Sequence, residues 1–277
     1  MPIVKLDREG SEYATYGSFT VEYRDASHRY WLIDNVTGAR EPATSVTSAL
    51  QVIDKPGLRD WYERISARDA VRATREGEMT DIDPDRDEDG RETQKRLQEL
   101  GLGAMKARDA GADRGSAVHE ALLAYCTLGT IPDLEDFEDG QRGYVEGLCA
   151  WLAVARPTPI VTECIVGSAL HGFAGRFDLL AEINGETVLC DLKTSKRVGV
   201  EYHLQLEGYK LALAECRSEV PDRTAVVTVA EDGSYKETRG EGSIAGFLAA
   251  LRLNWAVGDL EKIVRAQWKA EREAEGE

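Results

Sequence analysis

Long apolar runs are missing from this 277-residue chain, and so is any excess of base: 34 Lys and Arg stand against 50 Asp and Glu, a formal net charge of −16 at pH 7. No stretch is long enough to cross a bilayer and none reads as a secretory signal, so the expectation is a cytoplasmic protein with no membrane contact. The acidic balance argues against a protein that coats nucleic acid in general, since such binding rests on neutralising phosphates with Lys and Arg. It does not exclude an enzyme acting on nucleic acid, where a metal ion and a local basic groove can meet the phosphates. Cys126, Cys149, Cys164, Cys190 and Cys216 show no CxxC spacing; their odd number and wide separation point to reduced thiols rather than a disulfide framework. There is no Walker-type GxxxxGK[ST] loop, no helicase segment and no internal repeat, so any unwinding motor would be another chain.

What is present is a hairpin with charge in an awkward place. The segment from Gly172 to Lys196 reads GFAGRFDLLAEINGETVLCDLKTSK. Asn184-Gly185 is a strong type I′ turn signal, because both central residues need positive φ and this dipeptide tolerates it best. A two-residue loop there pairs Ile183 with Glu186 and sets Asp178 directly opposite Asp191. Opposite residues share a face, with Cβ atoms roughly 4.5–5.5 Å apart, and two carboxylates that close repel unless a proton or a cation intervenes. Lys193, two residues beyond Asp191, returns to the same face. Asp178, Asp191 and Lys193 thus offer oxygen ligands for a hard ion such as Mg²⁺ or Mn²⁺, and a group able to orient or deprotonate a water. The simpler alternative is a surface hairpin with solvated acids and a rim salt bridge. Against it stands the apolar opposite face: Phe177, Leu179 and Ala181 on one strand, Val188, Cys190 and Leu192 on the other. A β-bulge would shift this register.

Six other residues have two readings each. His119 lies beside the helical apolar stripe Val118, Ala121, Leu122 and Tyr125, and a lone helical His is more often a structural residue than a ligand. Gln205 and Tyr209, four apart on one face of a helix expected over 203–216, either point together at a phosphate or Lys193, or pack in the core. Thr194 and Ser195 could donate to a phosphate or cap the turn that leaves the strand. Glu163, on a strand expected over 159–166, is a secondary candidate for a metal shell, though an exposed strand acid is the simpler view.

GRFD, then a strand ending in DLK, then QLEGY resembles the PD-(D/E)xK nuclease superfamily, in its RecB-type and phage-exonuclease branch. The resemblance is motif-specific over about residues 113–230 and implies that Asp178, Asp191 and Lys193 are the catalytic acids and lysine, with Asp at the second position where many relatives have Glu. It also implies roles for Gln205 and Tyr209, and for Gly115 and His119 in RGSAVHEAL. His119 then becomes a third protein ligand, neutral when bound, and Gly115 leaves room for metal or DNA backbone. On this reading Asp178, Asp191, His119 and the Leu192 carbonyl hold the metal, and Arg176, placed opposite Lys193 by the register, is a candidate phosphate contact. Some RecB-type relatives hold an iron–sulfur cluster with a cysteine group after the core. No cysteine follows Cys216, so no cluster is expected here.

The element order agrees with that resemblance. A helix over 138–154, strands over 159–166, 173–183 and 186–193, the 203–216 helix and a strand over 223–230 give the αβββαβ order of a restriction-endonuclease-like α/β core, a mixed sheet between helices. Helices over 243–257 and 259–272 would follow. Residues 1–112 read as an elaboration on a core of 113–277, together one compact unit. FTVEYR (19–24) and RYWLID (29–34) flank DASH as a hairpin, and TSVTSAL opens a short helix with a Ser/Thr cap. On a helix over 57–75, Arg64, Arg68, Arg72 and Arg75 make one stripe that could follow a phosphate backbone; a salt-bridged solvent face, with Asp60 before Arg64, is the plainer account. Nine acids against Arg86 and Arg91 between Glu76 and Glu92 read as a mobile, solvated loop.

The expectation is therefore a Mg²⁺- or Mn²⁺-dependent DNA exonuclease acting on DNA ends. The phage-exonuclease resemblance implies recombination or end processing beside a single-strand annealing protein, and a ring-shaped homo-oligomer would explain processivity. An endonuclease of the same fold, a catalytically silent nucleic-acid-binding module and a hydrolase of small phosphoesters are the rivals.

Overall fold

A computed structural model describes residues 4–6, 10–83, 85–217 and 220–275. The chain opens with an antiparallel meander of β1 (Val4–Leu6), β2 (Ser11–Tyr16), β3 (Phe19–Arg24), β4 (Arg29–Asp34) and β5 (Arg40–Ser45). The hairpin expected at 19–34 is thus the middle of a larger unit. Ser45 caps the short α1 (Val46–Ala49), its hydroxyl accepting from Ser48 N at 2.9 Å. Next come α2 (Pro56–Arg75), α3 (Arg91–Glu99), α4 (Gly103–Leu128) and α5 (Asp139–Ala155). The acidic stretch before α3 is more than a solvated loop: Asp87, 9 % exposed, accepts from Glu92 N, Thr93 N and the Thr93 hydroxyl, and so caps the start of that helix.

The expected αβββαβ order follows from α5 through β6 (Thr158–Ser168), β7 (Phe173–Ile183), β8 (Glu186–Lys193), α6 (Val200–Arg217) and β9 (Arg223–Val229). A further strand, β10 (Tyr235–Arg239), adds to β9, and one helix, α7 (Ile244–Glu275), runs where two were expected. Gly258 interrupts nothing; a helix-interior Gly costs about 1 kcal/mol against Ala, too little to end a 32-residue helix.

Among the described residues ten strands form one mixed sheet, in the order β1-β2-β3-β4-β5-β7-β8-β9-β10 with β6 on the other edge of β7. The joint is a short parallel pair, Thr44 with Phe173 and Ser45 with Ala174, and α4 runs unbroken through residue 112, so the sheet and a helix both tie the N-terminal elements to the rest. One apolar cluster joins α6, α7 and the N-terminal sheet around Phe173, Phe177, Leu180, Leu189, Tyr209 and Phe247. The other joins α4 and α5 to Leu179, Ala181, Val188, Cys190 and Val227 around Leu122, Leu148 and Trp151. Among the described residues no helix is long and apolar enough to cross a membrane.

Packing near the future site is tight. A Cβ on Gly175 would lie 2.7 Å from the Tyr209 ring and 3.1 Å from Val46 Cγ2. Gly175→Ala should therefore cost about 1–3 kcal/mol of stability, the usual range for overpacking, read as a lowered midpoint in chemical denaturation. An unchanged midpoint would mean that Tyr209 is not held where the packing puts it.

Candidate active site

The hairpin register is the one the turn dictates. Asn184 and Gly185 have φ of 53° and 81°, and the ladder runs Ile183–Glu186, Ala181–Val188, Leu180–Leu189, Leu179–Cys190. Leu180 and Leu189 belong to the α6-side cluster, Leu179 and Cys190 to the α4-side cluster. On β8 alternation sets Asp191 on the α6 side with Leu189, but on β7 it breaks between Leu180 and Phe177, which share the α6-side cluster, so alternation does not assign Asp178 to the face of Asp191. The ladder itself stops one pair short of them. Beyond Cys190, β8 pairs only with β9, while β5 reaches β7 only at Phe173 and Ala174, so a gap opens beside residues 175–178 of β7. Across this gap Leu192 N donates to Asp178 Oδ2 at 2.6 Å, a carboxylate replacing the missing main-chain partner. Because the N–H and C=O of one strand residue point to the same side, the Leu192 carbonyl faces the gap too.

Side chains reach the gap from both helical layers. From α6, Gln205 Nε2 donates to Asp191 Oδ1 at 3.0 Å and to the Tyr209 hydroxyl at 3.2 Å, and Lys193 Nζ lies 2.6 Å from Asp191 Oδ2. From α4, His119 Nδ1 lies 3.8 Å from Asp178 Oδ1 and 2.9 Å from Glu163 Oε1. Glu163 falls opposite Asp178 by number, between the pairs Thr162–Leu179 and Cys164–Phe177, and has a left-handed φ of 48°. Non-glycine residues rarely adopt this conformation, at a cost of about 1–3 kcal/mol, and it turns the carboxylate out of the ladder toward His119. Thr162 Oγ1 meanwhile donates to the Asp178 carbonyl at 2.8 Å and steadies β7 there. Glu163, only a secondary candidate from its strand position, thus joins the cluster; no periodicity announces a left-handed turn inside a strand.

Burial sets the charge states. Asp191 is 1 % and Asp178 6 % exposed. Burial pushes the Asp191 carboxyl up to about 6 despite the Lys193 ammonium, and raises Asp178 against the pull of His119 and Lys193. Burial alone would lower Lys193, but Asp191 and Asp178 outweigh it and hold the amine as an ammonium above its ordinary value. For His119 the lowering by burial is likewise overcome, by the hydrogen bond to Glu163 and the charge of Asp178, and the imidazole is pushed up to about 9.

The donor set suits a hard divalent cation. Ligand atoms of His119, Glu163 and Asp178 lie within 4.8 Å of one another. Asp191 is not part of that triplet; its buried Oδ2 has only the ion contact to Lys193, without an aligned hydrogen bond. Carboxylate oxygens with one imidazole fit Mg²⁺ or Mn²⁺ better than a thiophilic metal.

The other sequence candidates are distributed as follows. Gly115 is one turn before His119, and a Cβ there would meet open space. Thr194 and Ser195 follow β8 in a half-buried turn, where the Ser195 hydroxyl donates to the Arg197 carbonyl. Arg176 pairs with Glu12 at 2.6 Å and lies over the Tyr23 ring, on the part of β7 that borders the gap. Arg64, Arg68 and Arg72 remain exposed along α2, Arg68 bonded to Asp69. Tyr209 is 3 % exposed, so it reaches the site only through Gln205.

Comparison with known proteins bears on this geometry. The profile of the PD-(D/E)XK nuclease superfamily matches residues 135–274, just over half of the chain. The chain belongs to the PD-(D/E)XK nuclease superfamily. The matched segment contains Asp178, Asp191, Lys193 and Gln205, while His119 precedes it. The mixed sheet between helical layers is the restriction-endonuclease-like fold of that superfamily, whose nucleases use divalent metals. Among solved structures, the alkaline exonuclease LHK-Exo from Laribacter hongkongensis is 17 % identical, over 57 % of this chain and 93 % of that one, with a TM-score of 0.31. Its complex with dAMP gives 18 %, the same shares and 0.31. A crystal structure of SSO0001 is 13 % identical over 52 % and 74 %, with a TM-score of 0.29. Likenesses at this level add nothing to the family assignment. No curated protein matches the chain.

Proposed function

We propose that this PD-(D/E)XK protein is a Mg²⁺- or Mn²⁺-dependent deoxyribonuclease that hydrolyses phosphodiester bonds from DNA ends. The observation that carries the reading is the meeting of Asp178, Asp191, Lys193 and His119 at a gap in the sheet, brought there by three separate stretches of chain, β7, β8 and α4. Asp178, Asp191, His119 and the Leu192 carbonyl, with Glu163, would hold the ion, which when bound stabilises charge on the scissile phosphate and acidifies a water. Lys193, held as an ammonium, orients that water and offsets developing negative charge. Gln205 fixes the Asp191 carboxylate, and Tyr209 fixes Gln205, so both act as positioning residues. Arg176 becomes a phosphate contact once an incoming strand competes with Glu12 for it.

Action at ends rests on the RecB-type and phage-exonuclease spacing of GRFD, DLK and QLEGY, as does a role in recombination or end processing beside a single-strand annealing protein. Residues 1–112 serve on this reading as an elaboration packed on the nuclease core. With Mg²⁺ present, labelled linear duplex should be lost while closed circular DNA of the same sequence persists. Cutting of the circle at a comparable rate would make the protein an endonuclease, and persistence of both across varied metal and salt would remove the nuclease activity itself.

A further inference from the structure

The C-terminal half of α7 carries an apolar stripe that the fold leaves uncovered. Phe247, Ala250 and Leu251 bury the first half against α6 and α1, and the last bonds to the body are Asn254 to the Ser48 carbonyl and Trp255 to the Thr44 hydroxyl. Beyond them the ion pairs of α7 stay within the helix: Asp259–Lys262, Glu261–Arg265 and Lys269–Glu273. Yet Leu253, Val257, Leu260, Val264 and Trp268, spaced 4, 3, 4 and 4, are 37–61 % exposed, with Ile263 beside them at 55 %. That is the spacing of a helix–helix seam. At 3.6 residues per turn the stripe is centred roughly 100° around the helix from Phe247, Ala250 and Leu251. It is therefore a second apolar face and not a continuation of the core face.

Its pattern is self-complementary under a two-fold axis. Reversal about Ile263 exchanges Glu261 with Arg265 on one flank, and brings Leu260 near Val264 and Val257 near Trp268 in the seam. A C2 interface needs this property, since each residue must meet the partner of its own partner. We propose that the free half of α7 pairs antiparallel with α7 of a second copy of this chain, Glu261 of each facing Arg265 of the other. From Leu253 to Trp268 the seam is only about 22 Å long, less than a standard interface of ~800 Å² per partner requires, so the dimer dissociates in the micromolar range.

Sedimentation equilibrium of the whole chain from about 1 to 200 μM tests this independently of any nuclease activity. The wild type should move from one to two chain masses, and Leu260→Glu, on an exposed position, should weaken the association at least about tenfold with helical circular dichroism unchanged. Two charge variants make the test specific. Glu261→Arg alone and Arg265→Glu alone should each lose the dimer, because both flanks then carry like charges, while their equimolar mixture should restore it as a heterodimer. A wild type that stays monomeric to the highest concentration, forms a trimer, or dimerises equally well with either charge variant alone overturns the proposal.

Discussion

Asp191→Asn should reduce metal-dependent hydrolysis of linear DNA on the order of 10³-fold or more, equivalent to about 4 kcal/mol of transition-state stabilisation. Asparagine keeps the volume and can still meet Gln205, but it carries no charge for a cation and none for Lys193, 2.6 Å away. The ammonium then loses the partner that holds it over the gap. Loss of stability should stay below the ~3–5 kcal/mol of a fully buried broken pair, because the Lys193 side chain is 20 % exposed and can turn to water. Thermal melting therefore separates loss of chemistry from loss of fold. Gln205→Ala supplies the scale: it removes an orienting hydrogen bond and leaves the carboxylate, and should cost about 10–100-fold. Should Asp191→Asn remain within tenfold of the wild type, or fall no further than Gln205→Ala, the carboxylate is not at the centre of the reaction.

The parts of this site that were legible beforehand are those that local chemistry dictates. Asn184-Gly185 fixed one turn type, and the turn fixed which residues of β7 and β8 face each other. The termination of that ladder at Leu179–Cys190 was not legible, because it depends on the Asp178 carboxylate capturing Leu192 N, a choice between two partners that only the assembled sheet decides. The contact of Glu163 with His119 was hidden for a related reason: it joins residues 44 apart in the chain, at a strand position with a left-handed φ that no local pattern announces. Non-local pairing also hid β5. Its sequence, REPATS, carries a proline and none of the usual alternation, and it earns its place by pairing with β4 along one edge and with β7 at Thr44 and Ser45. At Gly258 local propensity overstates the break, because its small cost does not divide α7.

Magnesium affinity should rise roughly 50-fold between pH 7 and pH 9 if His119 is a ligand. In the metal-free protein the imidazole is pushed up to about 9, since the Glu163 hydrogen bond and the Asp178 charge outweigh the opposing effect of burial. A raised value means the proton is held at neutral pH, and a cation must displace it to reach the nitrogen. Affinity therefore climbs about tenfold per pH unit below 9 and levels off above it. Asp191, pushed up to about 6, adds a second competing proton below that pH, and the dependence steepens there. Titration calorimetry at pH 7 in two buffers of different ionisation enthalpy should count close to one proton released per Mg²⁺ bound. His119→Asn, neutral at every pH, should lose both the proton release and the rise from pH 7 to 9 while keeping the steeper fall below 6. Wild-type protein that binds Mg²⁺ at pH 7 without releasing a proton would show that His119 stays paired with Glu163 and that the carboxylates hold the ion without it.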